Sequence, residues 1–98
     1  MTHIIANISG RIGFMSELKQ TPAGKSYLEL AIPEKIKDNT LWHRFTAWNR
    51  VAENADQYLQ KGDAVSINFT INYRKAGERV FTNFNATHIT YLSLNGKS

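Results

Sequence analysis

Residues 41–62 read LWHRFTAWNRVAENADQYLQKG, and a change of period inside this stretch decides the fold. Leu41, His43, Phe45 and Ala47 alternate with Trp42, Arg44, Thr46 and Trp48, the two-residue repeat of a strand. Val51, Ala52, Ala55, Tyr58 and Leu59 then recur with the spacing of one helix face. Asn49 reads as the cap of that helix and Gly62 as its stop. A helix of about ten residues is marginal alone, so its apolar stripe must dock on a sheet.

Upstream, from His3 to Ile12, the residues Ile4, Ala6, Ile8, Gly10 and Ile12 alternate with Ile5, Asn7, Ser9 and Arg11, which predicts a first strand. Gly10 inside it suggests a bulge or sharp bend. Thr21-Pro22-Ala23-Gly24 has Pro second and Gly fourth, a turn signal. Leu28, Leu30 and Ile32 then form one face of a second strand, which Pro33 is expected to end by removing a donor. Residues 33–40 read as a charged connection. Downstream, Val65, Ile67, Phe69, Ile71 and Tyr73 alternate with polar neighbours in a fourth strand. After a turn around Ala76-Gly77, Val80, Thr82, Phe84 and Ala86 form one face of a fifth, with Ile89 and Leu92 completing the core. The fold class is therefore all-β with one short helix. Three strands, a helix and two strands is the order of the OB-fold, a five-stranded, partly open barrel with the helix between strands three and four. Residues 1–92 are assigned to that domain and residues 93–98 to a short polar end.

The chain has 98 residues, room for one domain, and 42% hydrophobic residues supply a small core. It has no Cys, so disulfides and thiolate chemistry are unavailable, and a reducing, cytoplasmic setting is expected. No apolar run has the length of a signal core or a membrane span. Twelve Lys and Arg against eight Asp and Glu leave a net charge of +4, which favours a polyanionic partner.

Gly24-Lys25-Ser26 and Gly96-Lys97-Ser98 resemble the end of a phosphate loop, but the earlier glycine of that loop is replaced by Lys19 and Tyr91. His3, His43 and His88 lack metal-ligand spacing, the carboxylates are scattered, and no nucleophile elbow exists. Neither catalysis nor a cofactor or metal is expected. The positive signal is aromatic and basic residues interleaved on one strand face. Trp42, Arg44 and Trp48 suit a single-strand binder, which offers aromatic faces to bases and cations to phosphates. The competing reading buries both Trp residues in a second core or a subunit interface. Tyr27, Tyr73 and Phe81 are further stacking candidates, although Tyr73 has core parity and would equally cap the barrel. Arg74, Lys75 and Arg79, with Lys35 and Lys37, are candidate phosphate contacts.

Several linked stretches resemble the bacterial single-stranded DNA-binding proteins, including their plasmid, phage and mobile-element relatives. Ile8-Ser9-Gly10-Arg11-Ile12 is similar to the family's V-G-R-L segment, and Glu17-Leu18-Lys19-x-Thr21-Pro22-Ala23-Gly24 to its E-L-R-x-T-P-x-G turn. Trp42-His43-Arg44-Phe45-x-Ala47-Trp48 resembles the W-H-R and A-W elements of strand three. Val51-Ala52-Glu53-x-Ala55-x-x-Tyr58-Leu59-x-Lys61-Gly62 follows the family's helix. The resemblance implies base stacking by Trp42 and Trp48, and a homo-oligomer, a tetramer, with His43 and Ile5 at the subunit interface.

Three departures accompany the resemblance. Ala76 stands where the family has an aromatic on the last hairpin, and the segment before strand three offers no stacking aromatic, with Ile36 nearest. The end, Leu92-Ser93-Leu94-Asn95-Gly96-Lys97-Ser98, lacks the family's acidic tip, so no tail-mediated recruitment of other enzymes is expected. The function expected is sequence-tolerant binding and protection of single-stranded DNA, with RNA as a second possible ligand, in replication, recombination or mobile-element transfer. The alternative is an accessory OB module of a primosome or replication complex that acts through protein contacts.

Overall fold

The computed structural model describes residues 4–93. His3 and the polar end, residues 94–98, lie outside the described residues. The elements are β1 (Ile5–Arg11), β2 (Phe14–Met15), β3 (Lys19–Gln20), β4 (Ser26–Ile36), β5 (Asn39–Trp48), α1 (Asn49–Tyr58), β6 (Ala64–Ala76) and β7 (Arg79–Ser93). They form one sheet in the order β1-β6-β7-β5-β4-β2, with β3 also on β4. Five strands carry the barrel: β1, β4, β5, β6 and β7. All their pairings are antiparallel except β5 with β7, which is parallel at Thr46↔Asn85 and Ala47↔Ala86.

The first strand explains how such a sheet curls. β1 and β2 stand at opposite ends of the hydrogen-bonded order, yet only Ile12 and Gly13 separate them in the chain. The N–H of Gly13 donates to Ala31 O at 2.9 Å and that of Ser16 to Glu29 O at 2.8 Å, which ties the turned chain to β4. No ladder joins β1 to β4 among the described residues, so the barrel is partly open, as its element order implies. Gly10 is not the bend, because β1 stays in register with β6 through Gly10↔Val65. It permits a close approach instead: a Cβ there would lie 2.7 Å from Ile32 Cγ2.

Inside the curl, Ile12, Leu28, Leu30, Ile32, Phe45, Val65, Ile67 and Phe69 are buried, with Ala52 and Ala55 of α1 closing one end. Phe45, Phe69 and Phe84 form an aromatic cluster, the ring of Phe45 lying 4.8 Å from Phe69 and 5.9 Å from Phe84, and those two 5.3 Å apart. The Thr21–Gly24 turn forms as expected, with the Gly24 N–H donating to Thr21 O at 2.8 Å.

Several local expectations are corrected. Pro33 does not end its strand. It pairs with Trp42, and β4 continues to Ile36, returning through a two-residue turn as β5. β2 reaches β4 only at Leu30 and Ala31, so at Pro33 the strand is an edge, where a missing donor is tolerated. The supposed connection at residues 33–40 is thus the tip of a hairpin. Asn49 makes no side-chain cap, and Trp48 holds the cap position. Asn49 takes a φ of 54°, a left-handed conformation Asn tolerates, and turns the chain directly from β5 into α1. The helix ends at Tyr58, and Gly62, with a φ of 100°, serves the turn into β6. Ile4, Leu41, Tyr58, Tyr73 and Leu92 have core parity or core spacing in the sequence but are exposed.

Candidate nucleic-acid interface

Strand register gathers most of the predicted site onto the outer face of the sheet. On β5 that face carries Trp42, Arg44, Thr46 and Trp48, because Phe45 and Ala47 point into the core. Their partners on β4 are Pro33, Ala31, Glu29 and Tyr27. Trp48 and Tyr27 therefore meet, with ring centroids 5.2 Å apart and planes inclined at 32°. The Trp48 indole N–H donates to Asn85 Oδ1 at 3.2 Å, which steadies the ring and marks the outer face of β7. Trp48 remains 37% exposed and Trp42 50% exposed, so neither is buried in a second core of this chain.

Two hairpin arms extend this face. β5 and β7 are paired only at two positions, after which the β4–β5 and β6–β7 hairpins run on as separate arms. Phe81 and Asn83 share the parity of Asn85, and Phe81 pairs with Arg74, whose guanidinium lies 5.3 Å from the ring centroid. Arg79 also falls on this side by alternation, as does Lys35 on the other arm, opposite Thr40. Lys37 sits in the turn of its hairpin with a φ of 55°. Tyr73 and Lys75 pair with Thr82 and Val80, so alternation places them on the reverse face of the arm. Tyr73 does not cap the barrel, and Lys75 is separated from Arg74 and Arg79 by the strand itself.

His43 lies away from this face, whereas Ile5 has outer parity, its partner Thr70 pairing with Asn85, but stands at the far edge of the sheet. His43 has core parity, and its Nε2 is 2.8 Å from Glu34 Oε1 on the neighbouring strand. Ile5 is 71% exposed on β1, which among the described residues pairs only with β6 and so has a free edge.

One aromatic that the sequence reading passed over, Phe14, stands beside Trp42. Gly13, Phe14, Ala31, Trp42 and Arg44 line a cleft of about 290 Å³. Phe14 belongs to a two-residue strand, too short for any alternation to be visible in the sequence. A larger hollow of about 490 Å³ lies between α1 and the end of β7, lined by Val51, Tyr58, Leu59, His88 and Tyr91 among others. No Lys or Arg lines it, so it has no fixed positive charge for phosphate. Among the described residues no three of His, Asp and Glu come together as a metal-holding group, and no helix is long and apolar enough to cross a membrane. The side chains gathered on the outer face are flat rings, guanidinium groups and amides.

The model of the Single-strand binding protein family matches residues 4–94. The chain belongs to this family. Among curated proteins it is similar to Single-stranded DNA-binding protein 1 of Chlorobaculum tepidum, 37% identical over 67 residues that are 59% of this chain and 41% of the relative. The chain thus spans less than half the length of that relative.

The close approach of Trp42 to the glycine before Phe14 can be tested by mutation. A Cβ on Gly13 would lie 2.7 Å from Trp42 Cζ3 and 2.8 Å from Pro33 Cδ. Gly13→Ala is therefore expected to push Trp42 off its seat, since the proline ring is the less mobile neighbour. Oligo-dT affinity should fall by up to the value of one stacked base, about 1–3 kcal/mol, with circular dichroism unchanged. Native affinity in a folded Gly13→Ala protein would show that the position of Trp42 is immaterial.

Proposed function

We propose that the outer face of β4, β5 and β7 binds single-stranded DNA by stacking bases on Trp42, Trp48, Tyr27 and Phe81 and holding phosphates with Arg44, Arg74, Arg79 and Lys35. The observation that carries this reading is the placement of two exposed tryptophans with Arg44 between them on one strand face, continued by the Phe81–Arg74 pair. Stacking uses the face of a base and not its pairing edge, so binding is tolerant of sequence. Protection of single strands in replication, recombination or mobile-element transfer is the role that fits. The work is done in the cytoplasm, a setting consistent with a chain without cysteine. RNA offers the same stacking faces and is a weaker second ligand in this reading.

Titration of intrinsic tryptophan fluorescence with oligo-dT tests the proposal. Stacking on Trp42 or Trp48 should quench emission. A folded native protein that neither quenches nor retains oligo-dT on a filter would sink this reading and favour the accessory, protein-binding module.

The hairpin arm supplies a second measurement. Arg74 and Arg79 share the outer face, so Arg74→Gln with Arg79→Gln should reduce the slope of log affinity against log salt by about 0.7 for each phosphate that is no longer neutralised. Lys75→Gln, on the reverse face, should leave the slope close to native. An unchanged slope in the double arginine variant would remove the arm from the groove.

We further propose that the protein works as a homo-oligomer, a tetramer by family resemblance. A domain of this size buries a limited share of its surface, and the free edge of β1 with exposed Ile4 and Ile5 invites a second chain. Ile36, Leu41 and His43, on the core-parity side of the β4–β5 arm, offer a second surface that a subunit would cover. Ile5→Lys is expected to lower the mass measured by light scattering while the fold persists. A native monomer at micromolar concentration would withdraw the interface role of Ile5 and His43.

A further inference from the structure

We infer that Phe14 is a base-stacking residue, and that the cleft it forms with Trp42 is a nucleobase site distinct from the one around Trp48 and Tyr27. This rests on the single-strand-binding reading and adds to it a site on the segment that closes the barrel.

The local geometry assigns the ring a direction. β2 pairs Phe14 with Ala31 and Met15 with Leu30. Leu30 is buried and Met15 packs against the core, so alternation turns Phe14 to the outer face, where it is 45% exposed. The floor of the cleft is made of Gly13 and Ala31, the two smallest residue types, and its walls of Phe14 and Trp42. Its volume, about 290 Å³, is near the lower end of small-molecule sites, roughly 300 Å³. Arg44 completes the lining and places a cation where the edge of a base or its phosphate would lie.

The two aromatic groups differ in what already occupies them. Trp48 is stacked against Tyr27 and hydrogen-bonded to Asn85, so one side of its ring is taken. Phe14 and Trp42 have no ring partner among the described residues, and although Trp42 rests against Gly13, both rings stay about half exposed, which leaves surface for a flat ligand. Trp42 and Trp48 are six positions apart on β5, which at about 3.3 Å per residue separates the sites by roughly 20 Å. One base cannot span that distance, so the strand must place different bases at the two sites, with Arg44 along its path. An exposed phenylalanine over a glycine and alanine floor contributes little to the core, and a nucleobase is the ligand whose flat apolar face and polar edge match these walls and this cation.

The test uses the full chain with Trp48→Phe, which leaves Trp42 as the one tryptophan reporting from the cleft. In that background oligo-dT should quench Trp42. Phe14→Leu, which keeps apolar bulk but removes the flat ring, is expected to weaken binding about five- to 150-fold and reduce the quench, with the salt slope unchanged. Phe14→Tyr should restore both. Equal affinity of Phe14→Leu and its parent would overturn this inference alone, since binding by the parent upholds the wider reading. A Phe14→Leu protein whose mass by light scattering changes would also overturn it, by assigning Phe14 to a subunit contact. Loss of circular dichroism in Phe14→Leu and Phe14→Tyr alike would assign the ring to the fold. No oligo-dT binding by the native chain would overturn the wider reading and this site together.

Discussion

Replacing Trp42 and Trp48 together by alanine is expected to remove about 2–6 kcal/mol of oligo-dT binding, from roughly thirtyfold to more than ten-thousandfold in affinity. Each ring is worth about 1–3 kcal/mol if a base stacks on it. The two should add, because they stand roughly 20 Å apart along β5 and touch different neighbours, Gly13 and Pro33 for Trp42 and Tyr27 and Asn85 for Trp48. Fluorescence anisotropy of a labelled oligonucleotide measures the loss, since the double variant has no tryptophan signal. Both side chains lie on the outer face, so circular dichroism and the melting temperature should stay near native. A double variant that is folded and binds as the native protein does would falsify the assignment of this face. A double variant that is unfolded would return both residues to a structural role.

Phe45→Ala should have the largest effect on stability. The ring is 2% exposed and touches Phe69 and Phe84, and truncation of a buried phenylalanine typically costs about 3–5 kcal/mol. Domains have only about 5–15 kcal/mol in all. At about 4–8 °C per kcal/mol for a chain of this size, the melting temperature should fall by roughly 12–40 °C. Thermal unfolding followed by circular dichroism reads it directly. Phe81→Ala is the control, since that ring lies on the outer face against Arg74 and its removal should leave the melting temperature within a few degrees. A fall of less than about 5 °C in Phe45→Ala would mean that the centre of the core lies elsewhere.

These two phenylalanines show how differently the chain's residues could be read from their order. Alternation alone set Phe45 and Ala47 on one face and Trp42, Arg44 and Trp48 on the other, because a strand has one period and a slip of one residue exchanges its faces; that the tryptophan face is not a second core of this chain followed only from the exposure of both rings. The helix and its apolar stripe were equally plain, and the order of strands and helix was enough for the barrel. The interior was legible wherever a second layer covers the strand.

Alternation names a face but does not say how far along that face the cover extends. Leu41 and Tyr73 continue the core parity of their strands, yet they lie beyond the residues that the curled sheet and α1 enclose, and both are exposed. Leu92 is exposed for another reason: a shift in the β6–β7 register at Asn68/Phe69 sets Ile89 and Tyr91 opposite the buried Ile67 and Val65 and turns Leu92 away. The β4–β5 hairpin was hidden for a related reason. Its turn, Lys37-Asp38, has no glycine although Lys37 takes a φ of 55°, and Pro33 signals a strand end unless one knows that β4 is an edge there.

By itself, then, the order of residues determined the periodicities, the barrel, and the face on which Trp42, Arg44 and Trp48 lie, because each depends on neighbours in the chain. Tertiary structure decided which long-range partners those residues have. It brought Tyr27 to Trp48, Asn85 to the indole N–H and Arg74 to Phe81, and it placed Phe14 beside Trp42 across a turn at Gly13. Such meetings depend on strand register and on the curl of the sheet, which are set when the whole core packs at once and are not written in any single segment.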